Sequence, residues 1–361
     1  MRLKWSYCFA CIIAVVLAAG RGFGQEAATG SDEVRIAWLT TVKGIDWPRH
    51  EKDSTGAEII DIQADKEALT QIIKDIKDVG CNTVFFQVVS NMDAIYPSEI
   101  LPWSHVLTGK QGEDPGYDPL AFVLEESHKR GLAVHAWLNP YRYSNRQGTA
   151  WTNADDTPLN YDHTHPDWLL YYSSSIILDP ARPEVVQRIC DVVGDILSKY
   201  DVDGIIFDDY FYPYGGTTTE DSVSQRLYKP AEMNVGDWRR QNVNITIEMI
   251  YDSIKAVKPW VRFGMAPFGI WTTQPAVAAS YGITLPQGIV GLDDYAVQFC
   301  DPLAWIQGGY VDYIAPQIYW STASVGQNYN KLANWWGSVT QHFSDQLPEG
   351  RRVHFYTANN D

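Results

Sequence analysis

The chain has 361 residues, 45% of them hydrophobic, and a net charge of −16 from 44 acidic and 28 basic side chains. That length and apolar content supply one large core, and the acidic balance excludes the basic surface that a nucleic-acid backbone requires. The 14 Trp and 21 Tyr offer flat, half-polar faces suited to stacking on sugar rings, although aromatics fill cores as well.

Residues 1–24 have the layout of a secretory signal, with Arg2 and Lys4 first, an apolar stretch over 7–19, and Gly22-Phe23-Gly24 as a small-x-small cleavage site. The stretch is shorter than the roughly 20 apolar residues of a spanning helix. The expectation is an exported protein of the periplasm, cell envelope or extracellular space, with no stable membrane insertion after cleavage. Cys8 and Cys11 precede most of the apolar run, which speaks against a lipid-modified cysteine at the cleavage point. Cleavage removes Arg2, Lys4 and Arg21 and no acid, so the loss of three bases takes the charge from −16 to −19. Cys81, Cys190 and Cys300 then remain, odd in number and far apart, which predicts buried thiols and no disulfide framework.

A polar leader over 25–33 gives way to alternating strands and helices from residue 34. The first strand is expected at 35–42. Leu69, Ile72, Ile73, Ile76 and Val79 mark a helical stripe over 65–79 that Gly80 stops. The second strand is 81–89. Asp118-Pro119 supplies an N-cap and an N1 proline for a helix to residue 130, ended by Gly131. Strands at 132–139, 204–208, 262–267, 313–319 and 353–357 follow, with helices at 183–200, 242–257 and 332–343. Apolar runs without alternation suit strands buried on both faces, and the βαβ rhythm predicts a parallel sheet with right-handed crossovers. The fold class is therefore α/β, a (β/α)₈ TIM barrel. Seven strands are countable before Asp361, and the eighth is expected beyond it. A doubly wound open sheet is the rival, but no strand is followed by a Gly-x-Gly-x-x-Gly turn.

The chemistry is expected at Asp208 and Asp209. They end a strand that Gly204 opens, ringed by Phe207, Tyr210, Phe211 and Tyr212, and Pro213 closes the segment. Catalytic residues of a barrel gather at the carboxyl ends of strands. The loops that would converge there carry Gln87, Asn91, Asp93, Tyr96, Trp103 and Ser104 after the second strand, and His135, Trp137, Asn139, Tyr141 and Arg142 at the third. The fifth contributes Trp271, and the sixth Gln317, Tyr319 and Trp320. Amides and a guanidinium for hydroxyls, flat faces for pyranose rings and an acid for the glycosidic oxygen make a glycan cleft. Asp162-His163-Thr164-His165 has metal-like spacing without a convergent third ligand, so no metal is expected, and no cofactor. Asn244-Ile-Thr matches a glycosylation acceptor but falls inside an expected helix.

The segments Asp93-Ala-Ile-Tyr-Pro-Ser, Pro102-Trp-Ser, Leu107-Thr-Gly-Lys-Gln-Gly, Tyr117-Asp-Pro-Leu, His135-Ala-Trp-Leu-Asn-Pro-Tyr-Arg142, Phe207-Asp-Asp-Tyr-Phe-Tyr-Pro213, Pro267-Phe-Gly-Ile-Trp271 and Asp312-Tyr-Ile-Ala-Pro-Gln-Ile-Tyr-Trp320 resemble, in order, the bacterial glycosyl-hydrolase-like 10 family. The resemblance runs from about residue 34 to the end. It implies an exported TIM-barrel glycoside hydrolase, in a family that includes enzymes cutting denuded peptidoglycan strands. Departures occur at Val89, where Arg is common, at Leu101, where Glu often precedes Pro-Trp-Ser, and at Thr272-Thr273, where Arg-Asn often follows; 274–291 looks expanded.

Asp208 stands four residues after Gly204, a spacing that resembles the strand-four nucleophile of several barrel glycosidases, and is assigned nucleophile or transition-state stabiliser. Asp209 points to the opposite face, so the partner carboxylate comes from another loop, Asp93 first and Asp301 second. Retaining and inverting chemistry both stay open. Gln87, Tyr96, Trp103, His135, Trp137, Asn139, Tyr141, Arg142, Tyr210, Trp271, Gln317, Tyr319 and Trp320 are assigned to substrate, with His135 weighed against a core role. The partner is a polysaccharide or glycan strand, peptidoglycan-derived or of another extracellular or capsular kind. A non-catalytic glycan-binding barrel is the alternative of a different class.

Overall fold

Seven apolar runs, each separated from the next by at least one helix, are laid side by side in chain order. The computed structural model describes residues 33–56, 58–144, 161–173, 175–348 and 350–359. The strands are β1 (Ile36–Leu39), β2 (Thr83–Val89), β3 (Ala133–Leu138), β4 (Gly204–Phe207), β5 (Arg262–Met265), β6 (Tyr313–Ile314) and β7 (His354–Phe355). They form one curled sheet in sequential order, every neighbour parallel. That is the strand order of a (β/α)₈ barrel with seven strands in place, and β1 and β7 are not paired with each other among the described residues. The expected signal segment and most of the leader lie outside the described residues.

Helices cover the outer face: α1 (Ile62–Asp78), α2 (Pro119–His128), α3 (Pro183–Lys199), α4 (Val235–Val257), α5 (Pro302–Gly308) and α6 (Tyr329–Ser344). Asp118 accepts from Ala121 N at 3.0 Å with Pro119 in the first turn, and Gly131 takes φ +66° just beyond α2, as the sequence signals require. α4 begins seven residues earlier than the apolar stripe indicates, because Asn234 caps it by accepting from Asp237 N at 2.8 Å. α6 likewise starts at its cap, Asn328. The first and sixth strands are shorter than expected, since the chain turns into a 3₁₀ segment at Val42–Gly44 and single bridges replace the ladder at Gln317. A small antiparallel sheet of Arg142–Ser144, Ile176–Leu178 and Leu169–Tyr171 was not legible in the sequence.

Strand period two sorts the core into two layers. One face of the sheet packs against the helices, with Val84, Phe86, Val134, Ile205, Phe207 and Phe263 among its residues. The other encloses Phe85, Trp137, Ile206, Ala266, Tyr313 and Ala315, with Ile36, Trp38 and Tyr356 packed on them. The lumen is so tight that a Cβ on Gly204 would lie 2.4 Å from His135 Nδ1. Gly204 is therefore a packing requirement. Cys190 and Cys300 are buried, Cys81 is half-buried, and none of the three is in a disulfide. Asn244 lies in α4, its side-chain oxygen accepting from Trp305 Nε1 at 2.7 Å. Among the described residues no helix is long and apolar enough to cross a membrane.

Candidate active site

Continuing the inward parity past each strand end gives the site. Phe85 leads to Gln87, Trp137 to Asn139, Ile206 to Asp208 and Ala315 to Gln317. The four polar residues form one chain of hydrogen bonds across the mouth. Gln87 Oε1 accepts from Thr41 N at 3.0 Å and Val42 N at 2.8 Å, so its amide can face only one way. Its Nε2 donates to Asn139 Oδ1 at 2.8 Å, which turns Asn139 Nδ2 to Asp208 Oδ2 at 3.0 Å. On the far side Gln317 Nε2 donates to Asp208 Oδ1 at 2.9 Å and to Ala266 O at 2.9 Å. Asp209 N adds a third donor to Asp208, at 2.8 Å. An ionised carboxylate accepts only, and three N–H groups converge on this one.

Arg142 backs the same network. It donates from Nε to Ser90 O at 2.7 Å and from Nη2 to Asn139 Oδ1 at 3.0 Å, and its guanidinium lies 4.8 Å from the centre of the Tyr210 ring. Burial lowers its pKa, while Asp208, Tyr210, Asp209 and Asp93 oppose that shift. Asp93 is thus near this cation. It is 1% exposed, with Oδ2 3.5 Å from His105 Nδ1 and Oδ1 without a hydrogen-bond partner. The turn that buries it runs through Met92 at φ +52°, in the left-handed region.

Parity also separates the two aspartates, as adjacent residues should be. Asp208 is 6% exposed, whereas Asp209 is fully buried, accepts from the Tyr214 hydroxyl on Oδ2 and has no partner on Oδ1. Burial first and the Asp208 charge second push the Asp209 carboxyl well above the usual carboxylate range. An aromatic rim runs along this side: Tyr210 meets Tyr214 edge-on at 5.6 Å, Tyr214 meets Phe268 at 6.0 Å, and Phe268 meets Trp320 at 5.5 Å. Burial first and the nearby Asp208 charge second raise the phenol of Tyr319, which is 48% exposed. Trp137 sits in the lumen one inward step before Asn139, its indole N–H unpartnered.

Six residues expected at the site belong elsewhere. Tyr96 is fully buried against Tyr200, at the end of α3. Trp103 packs half-buried on the outer core. Tyr141 lies behind the sheet, donating to Thr246 Oγ1 of α4 at 2.7 Å. His135 is two inward steps below Asn139, sharing a 2.7 Å hydrogen bond with Tyr313 OH, and burial pushes its pKa down to about 3. Trp271 and Asp301 form a separate cluster: Asp301 accepts from Trp271 Nε1 at 3.2 Å and from Tyr281 OH at 2.5 Å. Both oxygens of that carboxylate are engaged in bracing the start of α5. Val89 and Leu101 are packed in the core. Sequence reasoning missed Tyr214, although the aromatic run continues one residue past Pro213, and Gln298, whose Nε2 donates to Asp209 O at 2.9 Å. Among the described residues no three His, Cys, Asp or Glu side chains are placed to hold a metal ion, and the side chains of Asp162 and His163 lie outside those described.

A parallel barrel sheet with a polar-bound carboxylate at the centre of its mouth and an aromatic rim beside it defines a protein of the glycosyl-hydrolase-like class. The chain belongs to the glycosyl hydrolase-like 10 family, whose sequence profile matches residues 33–355. It is 38% identical over 335 residues to glycosyl hydrolase YngK of Bacillus subtilis (strain 168), covering 91% of this chain and 61% of that one. It is 38% identical over 332 residues to glycosyl hydrolase DigH of Escherichia coli (strain K12), covering 90% and 74%. This chain thus spans about three-fifths of the Bacillus relative's length. Among solved structures, the PgaB (BpsB) glycoside hydrolase domain from Bordetella bronchiseptica is 12% identical, with a TM-score of 0.46 over 82% of this chain and 89% of that one.

Proposed function

We propose that this protein is an exported glycoside hydrolase that cleaves peptidoglycan-derived glycan strands, with Asp208 as nucleophile or transition-state stabiliser. The observation that carries the reading is the Asp208 carboxylate, held on both oxygens by three N–H donors at the centre of the strand ends. Such donors keep the carboxylate in one place as positive charge develops at an anomeric carbon. Membership of a glycosyl-hydrolase-like family and relatives named glycosyl hydrolases support the reaction class. Arg142 and the rim of Tyr210, Tyr214, Phe268 and Trp320 supply the charge and flat faces that acidic and N-acetylated sugars offer to bind. The layout of residues 1–24 supports export.

The test is mass spectrometry of the products formed from peptide-free glycan strands and from a panel of neutral polysaccharides. Muro-oligosaccharides released by the wild type and absent with Asp208→Asn are the expected result. Release from a different polymer replaces the substrate and keeps the reaction, whereas tight binding without turnover turns the reading to a glycan-binding barrel. N-terminal sequencing of protein from fractionated cells checks export, with Gln25 expected as the first residue.

A further inference from the structure

Directly behind Asp208 lies a carboxyl that this chemistry leaves unused. Asp209 is held on three sides: its N–H is given to Asp208, its carbonyl accepts from Gln298 Nε2, and its Oδ2 accepts from the Tyr214 hydroxyl. Its Oδ1 is buried without a partner. Tyr214 is half-buried in the aromatic rim, between Tyr210 and Phe268, and so joins the closed compartment of Asp209 to the open cleft. We propose that Tyr214 and Asp209 are the proton-donating arm of the site: Tyr214 protonates the departing glycosidic oxygen and Asp209, acting through it, resupplies the proton. This rests on the glycosidase reading.

The physical case starts from the surroundings of Asp209. Facing it or near it are Asp208, Tyr210 and Tyr214 on its own loop, Arg142 from the loop after β3, Tyr319 from the loop after β6, and Asp294 and Cys300 from the segment before α5. Burial first and the Asp208 charge second raise the Asp209 carboxyl well above the usual carboxylate range, which favours its protonated form. A protonated carboxyl has one O–H to donate. In the structure the Tyr214 hydroxyl donates to Oδ2; reversing that bond, so that a protonated Oδ2 donates to the phenol oxygen, turns the hydroxyl hydrogen of Tyr214 to the cleft. Burial pushes the Tyr214 phenol above its ordinary value of about 10, so alone it is a weak general acid at neutral pH. The carboxyl behind it removes that weakness, because no free phenolate forms.

The step balances. As the bond from the anomeric carbon to the glycosidic oxygen breaks, its electron pair stays on that oxygen, which takes the phenolic proton. The Asp209 proton passes to the Tyr214 oxygen and leaves a carboxylate. The water that then adds to the anomeric carbon returns a proton along the same path, and both groups end as they began.

Two measurements on the full chain test this. In infrared spectra at pH 7, Asp209→Asn loses one protonated-carboxyl band present in the wild type, and Tyr214→Phe shifts that band; an unchanged spectrum in Asp209→Asn overturns the proposal whatever the activity. In kinetics on phenyl and 2,4-dinitrophenyl N-acetylglucosaminides and on glycan strands, Tyr214→Phe loses about 10²–10⁴-fold in kcat on the phenyl glycoside and the polymer. It loses less than about tenfold on the dinitrophenyl glycoside, whose leaving group needs no proton. A purely structural role lowers all three alike and overturns the proposal, as does full retention of polymer kcat. The same leaving-group dependence in Asp93→Asn but not in Tyr214→Phe gives the role to Asp93. Absence of any turnover by the wild type sinks the glycosidase reading and the relay with it, whereas wild-type turnover unaffected by Tyr214→Phe sinks the relay alone.

Discussion

Exchanging the two ends of one hydrogen bond tests the whole polar network. In Asp208→Asn the new side-chain oxygen stays toward Gln317 Nε2 and Asp209 N, so the new amide NH₂ points at Asn139 Nδ2, where the native contact is 3.0 Å. Asn139 cannot turn to help, because its oxygen already accepts from Gln87 Nε2 and Arg142 Nη2, and Gln87 is pinned by Thr41 N and Val42 N. Each stranded buried donor costs about 1–3 kcal/mol. Asn139→Asp fails in the opposite way, setting two carboxylates at that 3.0 Å separation. With an effective dielectric of about 20 the repulsion is of order 5 kcal/mol, which uptake of a proton relieves in part. The double variant Asn139→Asp with Asp208→Asn restores every donor to an acceptor and leaves one charge beside Arg142. Its unfolding free energy is expected within about 1 kcal/mol of wild type, with a favourable coupling of at least about 2 kcal/mol in a denaturant double-mutant cycle. Its turnover stays lost, since the carboxylate has moved from the end of β4 to the end of β3. Additivity of the two single losses to within about 0.5 kcal/mol would falsify the amide orientations described, and recovered turnover would remove Asp208 from the chemistry.

Gly204→Ala places a methyl against the His135 ring, which Phe85 and Tyr313 flank at 5.0 and 5.4 Å between centroids; overpacking of about 1–3 kcal/mol is expected by urea denaturation, and a loss under about 0.5 kcal/mol contradicts the lumen packing. Tyr141→Phe removes the hydroxyl that Thr246 accepts from, so about 1 kcal/mol of stability goes while kcat on glycan strands is unchanged; a large fall in kcat returns Tyr141 to the cleft. Burial holds His135 at about 3 against an unfolded value of 6.5, so between those values the unfolded chain binds a proton that the folded chain does not. Its contribution is complete above pH 6.5 and is lost as pH falls toward 3, by about 1.4 kcal/mol per pH unit. The stability difference between wild type and His135→Gln should therefore shift against the wild type from pH 7 to pH 4, and a difference independent of pH refutes the buried neutral imidazole.

The strands and helices were legible because their causes are local. Asp118-Pro119 and Gly131 bound α2 through hydrogen bonds and backbone angles within a few residues, and Gly204 with Ile205, Ile206 and Phe207 reads as a strand buried on both faces. Where a cap replaced the apolar stripe as the start signal, as at Asn234, the reading came late by two turns. The motifs and their order were enough to identify the family.

Within a strand the alternation of side chains is a property of the backbone, which is why the inward line through Ile206 to Asp208 and through Trp137 to Asn139 was foreseeable. Beyond a strand end it is not. Tyr141, Tyr96 and Trp271 follow strands closely and Asp301 lies late in the connection from β5 to β6, yet the path of the chain turns them into the outer core or into a brace for α5. Only the tertiary structure decided which side chains meet Asp208, because the bonds that orient it join residues 52, 69 and 109 positions apart. The sequence by itself determined the parallel barrel order, the carboxylate at the end of β4 and the family. The curl of the sheet then chose the partners of that carboxylate, since hydrogen bonds between distant strands depend on register and curvature that no local pattern encodes.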